Sequence, residues 1–120
     1  MKNPEELQKL TNEFQECQDV LIAIGDATRQ AIMLALIEIG CNEGMRVGEI
    51  TEKTHLSRPA VSYHLRVLKE ANVVTVEKVG TMNFYSINPE NTSIKSLQKL
   101  INHMNDYIEE YYEPREEGAF

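Results

Sequence analysis

Apolar side chains recur every three or four residues in two long stretches of the chain, which is the spacing of one face of an α-helix. The first set, within residues 4–24, is Leu7, Leu10, Phe14, Cys17, Leu21 and Ile24, and the second, within residues 91–112, is Ile94, Leu97, Ile101, Met104, Ile108 and Tyr111. Alternating steps of three and four form a heptad seam, along which one helix packs against another. The pattern predicts two terminal dimerisation helices, although the first could instead pack on the core of its own domain.

Two shorter helices are predicted after the first seam. Asp26 can cap a helix that runs to about Ile39, and its stretch AIMLALIEI is apolar on nearly all sides, which is typical of a central core helix. Gly40 ends this helix, and residues 47–54 form the next one. Cys41 lies in the loop between them, and because nothing basic adjoins it to lower its pKa, we expect an idle thiol rather than a reactive one.

The next predicted helix, within HLSRPAVSYHLRVLK, carries the clearest functional pattern. Ser57 is a good N-cap, and Pro59 lies in the first turn, where a missing N–H costs nothing. Val61, Leu65 and Leu68 face inward at helical spacing. The opposite face carries donors, acceptors and cations suited to phosphates and base edges, namely Arg58, Ser62, Tyr63 and Arg66. Taken alone, the stretch also fits an ordinary surface helix. Its close connection to the preceding helix predicts a helix-turn-helix with a recognition helix.

A β-hairpin is predicted after the recognition helix, which ends near Asn72. Residues 73–78 are rich in β-branched side chains, residues 79–81 supply a turn, and residues 82–87 (MNFYSI) form the return strand. A hairpin directly after a helix-turn-helix is a wing, with Lys78 near its tip. The sequence therefore predicts a mainly α (α+β) fold, a winged helix-turn-helix with a two-stranded β-hairpin wing and N- and C-terminal dimerisation helices.

Length and composition set the organisation of the chain. The 120 residues suffice for one domain, predicted as residues 1–112, followed by a polar, acidic tail of residues 113–120 that is expected to be disordered. No apolar run approaches the ~20 residues that span a bilayer, and the first residues lack the apolar segment of a signal peptide. Two cysteines do not make a disulfide framework, so a reducing cytoplasm is predicted.

The net charge of −7 argues at first against nucleic acid as a partner. Residues 46–81, however, hold six cations and four anions, a balance of +2, so the rest of the chain carries −9. A basic face on an acidic body can still bind phosphates, with weaker long-range attraction than a basic protein would have.

The stretch LSRPAVSYHLRVLKEANVV, followed by a hairpin that ends in FYSI, resembles the ArsR family of bacterial winged-helix repressors, and IGDATRQAIMLALIE resembles the second helix of that family. The resemblance covers about residues 10–107. It implies a homodimer that binds an inverted repeat in double-stranded DNA and represses transcription until an inducer releases it. The DNA-binding residues that it implies are Arg58, Pro59, Ser62, Tyr63, His64, Arg66 and Lys78. His64 could equally be a packed histidine.

The resemblance also raises the question of metal sensing, because many members of the family bind metals at one of two sites. Arg46 and Gly48 stand where the first site has a Cys-x-Cys pair, so that thiolate site is not expected. At the second site, on the last helix, His103 and Asp106 match one ligand pair and Glu90 could replace an aspartate. Because Thr92 stands where a histidine is needed, a solvated pair is favoured over weak zinc binding, and no cofactor is expected.

Two readings of function remain at this point. The first is a DNA-binding repressor whose inducer is unknown, and a metal-responsive variant of it would use the last-helix residues. The second is a protein-interaction module with the winged-helix frame and weak DNA affinity, which the net charge suggests. An enzyme is not expected, because Ser62 and His64 lie two residues apart on a helix and point different ways, and no phosphate loop or complete metal set appears.

Overall fold

The computed structural model describes residues 3–90 and 92–114 of the chain. Within these residues the elements follow the order α1 (Pro4–Glu16), α2 (Gln18–Ile24), α3 (Ala27–Ile39), α4 (Val47–Thr54), α5 (Arg58–Glu70), β1 (Val74–Val79), β2 (Met82–Ile87) and α6 (Thr92–Tyr111). The predicted mainly α fold with a two-stranded wing is confirmed. Residues 113 and 114 have no regular structure, while Asn91 and the rest of the predicted tail lie outside the described residues.

The prediction of one helix over residues 4–24 is wrong at Cys17, where α1 ends and α2 begins. The backbone of Cys17 (φ −93°, ψ 2°) leaves the helical range, and its N–H donates to the carbonyl oxygens of both Gln15 and Glu13. The Cys17 side chain, 1% exposed, lies in the core. The break lets α1 pack against α6 while α2 packs against α5.

The core gathers one face of each helix around α3, α4 and α5. Its largest fully buried apolar side chains include Ile32, Leu36, Ile50, Leu65, Leu68, Leu100 and Val61. Helix α3 is a central core helix as predicted, with Ile32, Ala35 and Leu36 buried, but its apolar composition does not mean burial on every side, because Leu34 and Ile37 are 65% and 58% exposed. Helices α2, α4 and α5 and strand β2 pack against α3, and they leave these two side chains uncovered within the described part of the chain.

The hairpin pairs Val74 with Ile87 at one end and Val79 with Met82 at the other. The turn between the strands is therefore only two residues long, with Gly80 at a φ of 64°, a conformation that glycine adopts without steric cost. Val79, predicted in the turn, extends β1 instead. An isolated antiparallel bridge between Met45 and Tyr85 joins the wing to the residues just before α4.

Among the residues that the structure describes, no single helix is long and apolar enough to cross a membrane. Helices α2 and α3 together meet that test by length and composition, although the pair is bent by 86°.

Candidate nucleic-acid interface

Helix α5 is set in place by a cap and by one apolar face. The Ser57 hydroxyl oxygen accepts a hydrogen bond from the backbone N–H of Ala60 at 3.2 Å, as the sequence predicted for an N-cap. Val61, Leu65 and Leu68 are buried in the core. Burying three such side chains fixes the rotation of the helix about its axis. The opposite face is consequently held toward solvent.

The solvent face of α5 holds most of the side chains predicted to contact DNA. Arg58, Pro59, Ser62, Tyr63 and Arg66 are exposed, and His64 is half-buried. The Cζ atom of Arg66 lies 5.6 Å from the centroid of the Tyr63 ring, a cation–π arrangement that orders both side chains. This face can donate and accept hydrogen bonds and carries two guanidinium groups. These are the groups that bind phosphates and guanine edges.

Helix α4 precedes α5 through a connection of three residues, in which His55 has a left-handed φ of 59°. The guanidinium of Arg58 lies close to the start of α4, where its Nη1 atom would be 3.6 Å from a Cβ atom placed on Gly48. Arg46, Glu49 and Glu52 line the same depression. The two helices thus form the predicted helix-turn-helix, and Arg58 stands at their junction.

The wing carries the last of the predicted DNA contacts. Lys78 pairs with Asn83 in the hairpin, one residue pair before the turn, and its side chain is exposed. Val79 and Met82 at the tip are also about half exposed. The tip of the wing therefore presents the cation of Lys78 beside two apolar side chains.

Arg29 is a residue of this region that the sequence did not single out. Only 7% of it is exposed, although it is a cation. Its guanidinium donates to the carbonyl oxygens of Ala23 (2.7 Å) and Ile22 (3.0 Å) and contacts His64 Nδ1 (3.2 Å). Arg29 therefore holds the ring of His64 from the core side. His64 is thus packed on one side and remains a candidate DNA contact on the other, which combines the two alternatives that the sequence left open. The position of Arg29 three residues after the predicted cap Asp26 indicates the hydrogen bond of its backbone N–H, but not the contacts of its side chain.

Asp26 caps α3 as predicted, since its carboxylate accepts the backbone N–H of Arg29 at 3.0 Å. That hydrogen bond lowers the pKa of Asp26 most; desolvation by burial opposes it to a smaller extent, and the nearby charge of Arg29 lowers the pKa further. The lowered pKa means that the folded structure favours the ionised cap.

The candidate metal ligands Glu90, His103 and Asp106 lie in different surroundings. The Nδ1 atom of His103 lies 2.7 Å from a carboxylate oxygen of Glu13, a buried residue of α1 that the sequence did not indicate. Glu90 precedes α6, and its backbone N–H donates a hydrogen bond to the side-chain oxygen of Asn88. Among the described residues, no three or more His, Cys, Asp or Glu side chains lie close enough together to hold a metal ion.

A groove between α1 and α6 surrounds the pair of His103 and Glu13. Its volume is about 270 Å³, and its lining includes Asp106, Tyr107 and Glu110. At its end the hydroxyl group of Tyr111 donates to Glu6 at 3.0 Å. These contacts join helices α1 and α6 within the chain.

The two cysteines have different environments. Burial raises the pKa of the Cys17 thiol, and the neighbouring Glu16 and Glu13 raise it further. A raised pKa lowers the fraction of reactive thiolate. Cys41 is exposed in the loop after α3.

The seam residues predicted to form a dimer divide into three groups. Leu7, Phe14, Ile101 and Ile108 are exposed, Leu10, Leu21, Ile24, Ile94, Leu97, Met104 and Tyr111 are partly buried, and Cys17 lies within the core. Because Cys17 has almost no exposed surface, it can contribute very little contact area to a partner. The four exposed residues, Leu7, Phe14, Ile101 and Ile108, are the seam positions that the rest of the described chain does not cover.

Comparison with known proteins agrees with this architecture. The sequence model of the family described as "Bacterial regulatory protein, arsR family" matches residues 26–76. An uncharacterised HTH-type transcriptional regulator of Methanocaldococcus jannaschii is 33% identical over 91 residues, which cover 76% of this chain and 97% of that protein. The transcriptional repressor SdpR of Bacillus subtilis is 38% identical over 90 residues, which cover 75% of this chain and 90% of SdpR.

Solved structures agree as well. The crystal structure of a possible transcriptional regulator for arsenical resistance superposes with a TM-score of 0.59 and 27% identity, and it covers 79% of this chain and 98% of that one. The matched family segment includes all of α3, α4 and α5. The chain therefore belongs to the ArsR family of bacterial regulatory proteins, and it is a DNA-binding transcriptional regulator.

Proposed function

We propose that this protein is a homodimeric repressor in the cytoplasm that binds an inverted repeat in double-stranded DNA. The observation that carries the proposal is the solvent face of α5, where Arg58, Ser62, Tyr63 and Arg66 are all exposed. Arg58 and Tyr63 read base edges in the major groove, and Arg66 and Lys78 contact phosphates. Phosphate contacts position a protein on DNA, whereas base contacts give it sequence preference.

The proposed dimer uses the terminal helices. Leu7 and Phe14 on α1 and Ile101 and Ile108 on α6 are 43–58% exposed, and residues of these types are more often buried. The Cα radius of gyration is 18.9 Å. A compact chain of this length has a radius of about 14 Å. The elongated protomer supports an assembly in which a second copy covers its extended helices.

The dimer sets the geometry of the operator. In a two-fold dimer both copies of α5 face the same side of the duplex. Their half-sites then lie about one helical turn apart, roughly 34 Å, or a multiple of that spacing. The operator should therefore be an inverted repeat.

Selection from a pool of random duplex DNA tests the proposal and identifies the operator in the same experiment. The expected result is enrichment of one inverted repeat, bound by the purified protein at least about 10³-fold more tightly than a shuffled duplex at the same stated salt concentration. Sedimentation of the free protein at micromolar concentration should give the mass of a dimer.

Two outcomes would contradict the proposal. A folded monomer at micromolar concentration would exclude the dimer. Equal binding of selected and shuffled DNA would exclude sequence-specific repression and favour the protein-interaction module that the net charge of −7 suggests.

A further inference from the structure

A line of polar contacts runs from the core to the solvent face of α5. It begins at Arg29, whose guanidinium holds the carbonyl oxygens of Ile22 and Ala23. Both carbonyls belong to the last turn of α2, where carbonyl groups have no partner within the helix. The third contact, at 3.2 Å from Nη1 to His64 Nδ1, links this buried cation to α5. Arg29 thus connects the end of α2 to the recognition helix.

The chemistry of arginine decides the state of His64. A guanidinium group only donates hydrogen bonds and does not lose its proton in proteins. His64 Nδ1 must therefore accept, so it carries no hydrogen. A neutral imidazole without a proton on Nδ1 has it on Nε2. While the contact exists, His64 is the neutral Nε2–H tautomer.

The other edge of His64 is open to a ligand. Among the residues that the structure describes, no hydrogen-bond partner is found for its Nε2 atom. The ring meets Tyr63 edge-on, with centroids 5.1 Å apart and an interplanar angle of 67°. Arg66 in turn lies over the ring of Tyr63. An unpartnered donor thus stands beside the aromatic and cationic groups of the DNA-facing surface.

We propose that Arg29 is a positioning residue for DNA binding, which locks His64 in its Nε2–H tautomer so that this N–H is donated to a DNA phosphate oxygen. The proposal rests on the proposed DNA-binding function and adds a residue outside the recognition helix to it. The contact made by His64 is neutral. It differs in this from the contact of Lys78, because a neutral donor replaces no counterion on the duplex.

The tautomer can be measured on the free protein. Long-range ¹H–¹⁵N spectra of the imidazole rings distinguish the two neutral tautomers, and His64→Gln identifies the signals of His64 among the three histidines. The expected result at mildly alkaline pH is the Nε2–H form alone. In Arg29→Met, which keeps a long side chain but has no group that donates to Nδ1, a mixture of both tautomers is expected. A predominant Nδ1–H form in the unmodified protein would overturn the proposal.

DNA binding gives a second test that does not disturb Arg29. In His64→Asn the side-chain oxygen can take the place of Nδ1 and accept from Arg29, while nothing replaces Nε2–H. We expect an unchanged melting temperature, affinity for the selected DNA lowered about tenfold, and an unchanged slope of log K against log salt. The matched variant Lys78→Ala should lower that slope by about one.

Three results would contradict the proposal. Unchanged DNA affinity in His64→Asn would show that His64 makes no phosphate contact. A slope of log K against log salt that is lowered by about one in this variant would show that His64 binds as a cation. A single Nε2–H tautomer retained in folded Arg29→Met would show that Arg29 does not set it. Failure of the unmodified protein to prefer the selected DNA would refute the proposed function instead, and the tautomer measurement would still decide the role of Arg29.

Discussion

Arg58 and Lys78 are both exposed cations of the proposed interface, but they stand on different elements and should contribute differently to binding. Arg58 begins the recognition helix, so Arg58→Ala should lose roughly 1–3 kcal/mol and relax the preference at particular base pairs. Lys78 lies near the tip of the wing, so Lys78→Ala should weaken binding to all sequences about equally. Titrations against the selected operator and its single-base variants measure both effects.

The matched control for these variants is Lys53→Ala, which removes an exposed cation from the neighbouring helix α4. Lys53 lies 3.0 Å from Glu38 in a surface ion pair, and such pairs contribute little to stability. Base preference should stay unchanged in this variant. If Lys78→Ala altered base preference while Arg58→Ala weakened all sequences equally, the two roles would have to be exchanged.

Single residues show where prediction from sequence ends. The outward face of α5 was predictable because cap, proline and apolar stripe lie within one helix and fix its rotation. The partners of His64 and His103 were not, because Arg29 and Glu13 lie 35 and 90 residues away in the chain. Contacts over such separations leave no local pattern, and only packing of the elements brings them together.

At the scale of single elements, caps and turns were the most predictable features and helix breaks the least. Asp26, Ser57 and Gly80 act where their chemistry predicted. The break at Cys17 was hidden, because its amide still bonds to Glu13 in a helical manner and the apolar spacing continues through it. The exposed side of α3 could not be predicted, since apolar composition alone does not tell which side of a core helix other elements cover.

The Asp26 cap makes the stability of α3 depend on pH. Its folded pKa is lowered, so its contribution to the free energy of unfolding is fully present above the unfolded pKa of about 3.9. That contribution is lost as the pH falls through the folded pKa. Asp26→Asn keeps a capping oxygen but cannot titrate. The stability difference between the two proteins, measured by urea unfolding, should therefore shrink as the pH falls below about 4.

The opposite trend would contradict this account of the cap. A difference that grows on acidification would mean that Asp26 is stabilised in its protonated form. Unfolding curves of both proteins at neutral pH serve as the reference, because there the ionised cap contributes in full.

At the scale of the whole molecule, the structure sharpens the predicted dimer interface. Leu97 and Met104 pack partly against the core, so a charge there would disturb the fold as well as an interface. Ile101 and Ile108 are exposed, and Ile101→Glu or Ile108→Glu should leave the protomer folded. In the dimer either glutamate would lie in an apolar interface at a cost of several kcal/mol. Sedimentation should show dissociation at micromolar concentration.

Leu34→Glu is the matched control for the interface, because Leu34 is as exposed as these isoleucines but lies on the outer face of α3. It should leave the dimer intact and the DNA affinity unchanged. Dissociation by Leu34→Glu, with Ile101→Glu and Ile108→Glu still dimeric, would place the interface on α3 and contradict the assignment to α1 and α6.

The whole molecule also bears on the inducing signal. Arg46 and Gly48 stand where a thiolate pair would be needed, and His103 is engaged by Glu13 within the protomer. A ligand that binds both states of a regulator equally shifts nothing. We therefore expect zinc, cobalt or nickel at micromolar free concentration to leave operator affinity within about threefold, or about 0.7 kcal/mol. The measurement is a DNA titration with and without each metal, repeated on His103→Asn, whose amide can take the place of Nδ1 and donate to Glu13. A loss of affinity of tenfold or more that His103→Asn abolishes would instead show that His103 is a metal ligand.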